Sequence, residues 1–128
     1  MNPSYEDFIE RYKNPRHSGK ITGSAHSSVS NVSCGDHISL YVKIGKNGII
    51  EDAKFEGRGC ALSTATADIL CDYVIGKNIN TVCGLDFNRA TGIIGFVPSI
   101  NRVGCVKIVV DALQDICEAY TVGEGKYQ

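Results

Sequence analysis

The side chains most able to do chemistry are six cysteines: Cys34, Cys60, Cys71, Cys83, Cys105 and Cys117. At about 5% of the residues they fall short of the ~8–10% that marks a disulfide-built mini-domain. A chain of 128 residues with 43% hydrophobic side chains can bury a core without such staples. Free thiols then divide into packed core residues, metal ligands and nucleophiles. Distance sorts them. On one helix Cys60 and Cys71 would stand roughly 16 Å apart, and Cys105 and Cys117 roughly 18 Å. Ligands of one ion or small cluster lie within a few ångströms of each other, so each helix can give only one cysteine to a shared centre.

Surroundings decide which. Cys71 has Ala67, Val74 and Ile75 at helical neighbour positions, and Cys117 has Leu113 and Tyr120, so both read as packing. Cys83, between Val82 and Gly84, reads the same way. Cys60 and Cys105 each begin a helix, where unpaired N–H groups and the positive dipole end lower a thiol pKa. Each follows a glycine, with Arg58 and Arg102 nearby in sequence. Cys34-Gly35-Asp36 joins two strands, and its glycine lets thiol and carboxylate converge on one ion. Asp36 is equally readable as a turn-stabilising carboxylate. Three thiolates and a carboxylate suit zinc, iron or an iron–sulfur cluster, with the choice open. His17, His26 and His37 are scattered and read as surface or strand residues, and no hydrolase elbow, phosphate loop or dinucleotide fingerprint occurs.

The elements that must position these groups follow from periodicity. Ser4 caps a helix carrying Tyr5, Phe8, Ile9 and Tyr12, which Asn14-Pro15 stops. Residues 16–26 are irregular and a weak strand covers Ser28 to Ser33. Ile38, Leu40, Val42 and Ile44 alternate with polar partners, Asn47-Gly48 turns the chain, and Ile49 to Glu56 returns. Gly57-Arg58-Gly59 ends that strand. Residues 61–75 form a helix, Thr81 to Leu85 a short one capped by Asn80, and 86–100 stay ambiguous. A last helix runs from near Cys105 to about Tyr120, leaving 123–128 frayed. The expectation is one α+β domain over 1–128, a small antiparallel three-stranded sheet with helices packed on one face.

A net charge of −1 argues against nucleic-acid binding through a global positive field and against a polybasic membrane clamp. No stretch reaches the ~18 apolar residues of a membrane helix. Glu6, Asp7 and Glu10 stand where a signal peptide would be basic and then apolar, so a cytoplasmic protein is expected.

The same residues resemble the IscU/NifU/SufU family of iron–sulfur cluster assembly scaffolds over nearly the whole chain. The resemblance rests on YEDFIERYKNPRHSG at 5–19, SCGD at 33–36, GIIEDAKFEGRGCALSTATA at 48–67 and NRVGCVKIVVDAL at 101–113. It implies that Cys34, Asp36, Cys60 and Cys105 bind metal or cluster, with Cys105 as persulfide acceptor. It also implies a pyridoxal-phosphate cysteine desulfurase as sulfur donor, iron entry at the same residues, a [2Fe–2S] product and apo-protein recipients, with homodimerisation open.

Three departures stand out. Gly104 occupies the place where IscU members carry histidine. Pro98-Ser99-Ile100-Asn101-Arg102 replaces the Leu-Pro-Pro-Val-Lys docking motif of the dedicated Hsp70 chaperone. SufU proteins also lack that histidine but insert roughly twenty residues before the third cysteine, whereas residues 61–104 alone intervene here. The alternative is therefore a SufU-like, zinc-dependent sulfurtransferase that accepts persulfide and holds no cluster.

Overall fold

A computed structural model of the chain describes residues 5–31, 35–95 and 97–127. The order is α1 (Tyr5–Lys13), β1 (Ala25–Asn31), β2 (Asp36–Ile44), β3 (Ile50–Arg58), α2 (Ala61–Val74), α3 (Ile79–Val82), α4 (Phe87–Ile94), a 3₁₀ turn (Ile100–Arg102) and α5 (Val103–Tyr127). The three strands form an antiparallel sheet in the order β1-β2-β3. On β2, residues 36, 38, 40 and 42 are buried while 37 and 43 are exposed, which is the period-2 pattern of a sheet covered on one face. Ile38, Leu40, Val42, Ala53 and Phe55 meet α2 and α5 in the core.

Packing takes α2 beyond amphipathicity. It contacts β3, α5, α1 and α4, and so it buries residues nearly all round, from Leu62 to Val74. Among them is Asp68, fully buried. Its Oδ2 accepts from Arg11 Nη1 at 2.8 Å and its Oδ1 from the His17 backbone N–H at 2.8 Å. Asp72, one turn on, accepts from Arg11 Nη2 at 3.1 Å and lies 3.3 Å from His17 Nε2. These two carboxylates fasten α1 and the segment after it onto α2. Residues 17–19 then join the free edge of β3, with His17 O accepting from Phe55 N and Phe55 O from Gly19 N, each at 2.8 Å.

Several boundaries differ from the sequence reading. β1 starts at Ala25 rather than Ser28; residues 32 and 33, like the Ser4 cap, lie outside the described residues. The hairpin is not a two-residue turn. Only Gly48 has positive φ (80°), and Gly48 N donates to Gly45 O while Gly45 N donates to Ile49 O, so the loop spans 45–48. β3 runs through Gly57 to Arg58, because a residue without Cβ can pass the His37 carbonyl there; only Gly59 ends it. Asn78, not Asn80, caps α3 by accepting from Asn80 N at 2.9 Å, which moves that helix to 79–82. Residues 87–94 of the ambiguous stretch form α4, capped by Asp86 through Arg89 N at 2.8 Å and closed by Gly95 at φ 94°. α5 begins two residues before Cys105, and its backbone stays helical to Tyr127 instead of fraying. No helix among the described residues is long and apolar enough to cross a membrane.

The clamp makes a graded prediction. Asp68→Ala takes the buried partner from Arg11 Nη1 and the acceptor from the His17 N–H, leaving Arg11 only Asp72, and should cost ~3 kcal/mol in urea denaturation. Asp72→Asn, at a half-exposed position, should cost below about 1 kcal/mol. Against its partial burial, Asp72 is held below the usual carboxylate range by Arg11 and His17. A depressed folded-state pKa adds stability above the unfolded pKa and loses it as pH falls through the folded one. Asp72→Asn should therefore flatten the acid limb of a stability–pH curve below about pH 4.

Candidate metal centre

The site forms where three elements meet. Asp36 opens β2 and is 3% exposed. Its Oδ1 accepts from the backbone N–H of Cys60 at 3.0 Å, and its Oδ2 lies 3.9 Å from Cys60 Sγ. Cys60 is the N-cap of α2, so the carboxylate satisfies a helix N-terminal donor that no side chain of the helix itself reaches. Gly59 makes this approach possible, since a Cβ there would crowd Ser63 Oγ and stand 3.3 Å from Asp36 Oδ1. Cys105, in the first turn of α5, completes the group with its Sγ 3.3 Å from Cys60 Sγ.

One ligand atom each from Asp36, Cys60 and Cys105 lie within 4.8 Å of one another. Sulfurs bound to one tetrahedral zinc stand ~3.8 Å apart, so the two thiols need move only about half an ångström to share an ion. Two soft sulfurs and one hard oxygen fit zinc or iron, and leave a fourth position open. Cys34 lies outside the described residues; Gly35, its neighbour, adjoins Asp36 at φ 72°. No histidine joins this group among the described residues. His17 faces Asp72, His26 stacks on Tyr41, and His37 Nδ1 meets Ser30 Oγ at 2.8 Å on the exposed sheet face.

The two thiols are not equivalent. Burial opposes ionisation of Cys60, but hydrogen bonds from the Ser63 hydroxyl and backbone N–H and from the Cys105 thiol outweigh it and lower its pKa. Ser63 Oγ lies 3.5 Å from Cys60 Sγ. Burial pushes the Cys105 thiol up, as do its bonds to Cys60 and Asp36 and their charges. The helix-start argument thus holds for Cys60, while at Cys105 burial overrides it, since α5 packs on β1 and β2 with Cys105 and Val106 in the core. Ser63 was overlooked in the sequence, although Cys60-x-x-Ser63 has the N-cap to N3 spacing of a capping pair. Cys71 and Cys117 are buried thiols with raised pKa, Cys117 next to Cys83, as core packing requires.

The NifU-like N-terminal domain family matches residues 4–125. Over 78 residues the chain is 40% identical to a zinc-dependent sulfurtransferase SufU of Bacillus subtilis, covering 61% of this chain and 52% of that protein, so it spans about half of that relative's length. Over 124 residues it is 28% identical to the iron–sulfur cluster assembly scaffold protein IscU of Haemophilus influenzae, covering 94% of this chain and 97% of the other. Among solved structures, a cluster-assembly scaffold protein for the SUF system from Fervidobacterium islandicum superposes with a TM-score of 0.70 at 26% identity, over 88% of this chain and 96% of that one. A NifU-like N-terminal protein from Brucella abortus has the same fold at TM-score 0.71 and 20% identity, over 87% and 89% of the two chains.

Thiol reactivity checks the electrostatics. In metal-free, reduced protein, iodoacetamide should label Cys60 ahead of Cys105, Cys71 and Cys117, as read by peptide mass spectrometry. Because its pKa is lowered, Cys60 should stay reactive at pH values where an ordinary thiol has become protonated.

Proposed function

The chain belongs to the NifU-like N-terminal domain family, and on that premise we propose that it is an iron–sulfur cluster assembly scaffold. In this reading a [2Fe–2S] cluster is cargo, built on Cys34, Asp36, Cys60 and Cys105 and then passed to apo-proteins. The observation that carries it is the convergence of two thiols and a buried carboxylate from three separate elements, at a place where Cys60 is only half-buried. A cargo site needs ligands that hold a cluster yet let it go. Thiolates supply the holding, and a carboxylate oxygen, harder than sulfur, gives the bond that exchanges most readily.

Sulfur arrives as persulfide from a pyridoxal-phosphate cysteine desulfurase. Cys105 attacks the outer sulfur of the donor's persulfide, the donor's S–S bond breaks, and the donor cysteine leaves as thiolate. The Cys105 proton passes across the 3.3 Å contact to Cys60. Two such sulfurs need four electrons to become sulfide. Two ferrous ions supply two of them on becoming ferric, and an external dithiol or one-electron reductant supplies the rest. The protein itself turns nothing over: it orients thiols, holds a proton and fixes Asp36.

A second reading has its own support. The likeness to the B. subtilis sulfurtransferase and a donor set of thiolates plus carboxylate both suit resident zinc. On that reading the chain accepts persulfide and never carries a cluster. Residues 61–104 leave no room for the long insertion typical of SufU proteins before Cys105, which favours the scaffold.

Anaerobic incubation with ferrous iron, cysteine, a desulfurase and dithiothreitol separates the two. The scaffold reading expects visible absorption and Mössbauer signals of a [2Fe–2S] centre, lost at least tenfold in Cys34→Ser, Cys60→Ser and Cys105→Ser. Asp36→Asn, which keeps an acceptor for the Cys60 N–H but removes the carboxylate charge, should retain the cluster but slow its transfer to an apo-ferredoxin. Tightly held zinc alone, with sulfur acceptance abolished by its removal, would establish the sulfurtransferase instead.

A further inference from the structure

The triad has a polar neighbour of no metal-ligand type. Asn31 ends β1 and pairs directly with Asp36 at the start of β2. Residues opposite each other in an antiparallel pair point to the same face with Cβ atoms ~4.5–5.5 Å apart. Asp36 points inward, so Asn31 does too, toward α5. There it meets Gly104, the residue immediately before Cys105. A Cβ on Gly104 would collide with Asn31 Nδ2, while Cγ lies 3.3 Å from that point. The amide end of Asn31 therefore fills the space that the missing side chain of Gly104 leaves. The two residues are a matched pair, and each excludes a larger version of the other.

Charge gives that amide a role. Asp36, Cys60 and Cys105 bring up to three negative charges within 4.8 Å of one another. The hydrogen bonds among them run through Cys60 N, Ser63 and the two thiols, on the α2 side. The α5 side has no cation aimed at it from the first turn; Lys107 is engaged with Asp111 at 3.0 Å. Asn31 and Gly104 also line a neighbouring surface groove of about 240 Å³ with Val29, Ser30, Lys107 and Asp111, which includes none of the three ligands. A neutral N–H donor seated on Gly104, next to Cys105 in the chain, lowers charge density on bound sulfur without adding a competing ligand.

We propose that Asn31 is a positioning residue of this centre, its amide nitrogen seated on Gly104 so that it donates a hydrogen bond to metal-bound sulfur on the Cys105 side. The proposal rests on the triad being a metal–sulfur site, and it is independent of whether the metal is cargo or resident.

Cobalt(II) alone is the probe, titrated into reduced full-length protein against a chelator of known affinity. Asn31→Ala should weaken cobalt binding about tenfold or more and shift the sulfur-to-cobalt charge-transfer band, with the thermal midpoint little changed. Gly104→Ala should produce the same loss by displacing the amide, and should add nothing in the Asn31→Ala background. Asn31→Ala binding within twofold of the parent with an unshifted band overturns the proposal, as does full additivity of the two substitutions. Failure to build a cluster from iron and sulfur, with the cobalt results as expected, removes the scaffold reading and leaves Asn31 in place.

Discussion

The hydrogen bond from Cys60 N–H to Asp36 Oδ1, at 3.0 Å, is the constraint on which the site depends. It ties the first residue of β2 to the N-cap of α2, two points 24 residues apart in the chain. A buried carboxylate is costly unless it is hydrogen-bonded, and a helix N-terminus is short of acceptors. Each offsets the other's deficit. One carboxylate oxygen is thereby committed to the fold, while the other stays near the Cys60 thiol, 3.9 Å away. Asp36 is anchored and available at once, which suits a ligand meant to exchange.

The rest of the fold serves to bring α5 to that junction. The inner face of the sheet carries α2 along β3 and α5 along β1 and β2, so the starts of both helices arrive at one end of the strands. Glycine permits the final approaches: Gly57 passes the His37 carbonyl, Gly59 clears Asp36, and Gly104 accepts the Asn31 amide. On the far side of α2, Asp68 and Asp72 hold α1 through Arg11 and His17. Aspartates thus serve both ends of α2: Asp36 from β2 accepts from its N-cap, and Asp68 and Asp72 on the helix itself hold Arg11 and His17.

The elements with strong periodicity were legible in the sequence, and so was the separation of Cys60 and Cys105, which meet, from the buried Cys71 and Cys117. Alternation along 38–44 marks the buried face of β2, and the 1.5 Å rise per residue keeps Cys71 from sharing a centre with Cys60 and Cys117 from sharing one with Cys105. Weak signals failed for identifiable reasons. β1 is rich in serine because its outer face is solvated, and its only inward anchors are Ala25, Ser27, Val29 and Asn31, which look like loop. α4 has just two turns, with Gly92 inside it, so its stripe of Ala90, Thr91 and Ile94 is too short to stand out. Asn78 and Asn80 are equally good caps on paper; Asn78 wins because its Nδ2 also donates to Asn47 O, and the hairpin loop selects it. Asn31 and Ser63 are not metal ligands by type, and only the β1–β2 register sets Asn31 opposite Asp36 and only the α2 cap sets Ser63 beside the Cys60 thiol.

The resting site also carries a proton that chemistry must move. Unit charges 4 Å apart repel by ~4 kcal/mol at an effective dielectric of 20, so two thiolates beside a carboxylate are not all ionised without a cation. The arrangement eases this by lowering the pKa of the Cys60 thiol and raising that of Cys105, the two sulfurs standing 3.3 Å apart. A metal entering here must release that proton, which links binding to pH. In the proposed sulfur transfer Cys105 would release it too, with Cys60 Sγ 3.3 Å away to take it. In that proposal the pair serves both as a metal-binding edge and as a proton relay. Its thiols sit on separate helices, held at the required spacing by a carboxylate from the sheet between them.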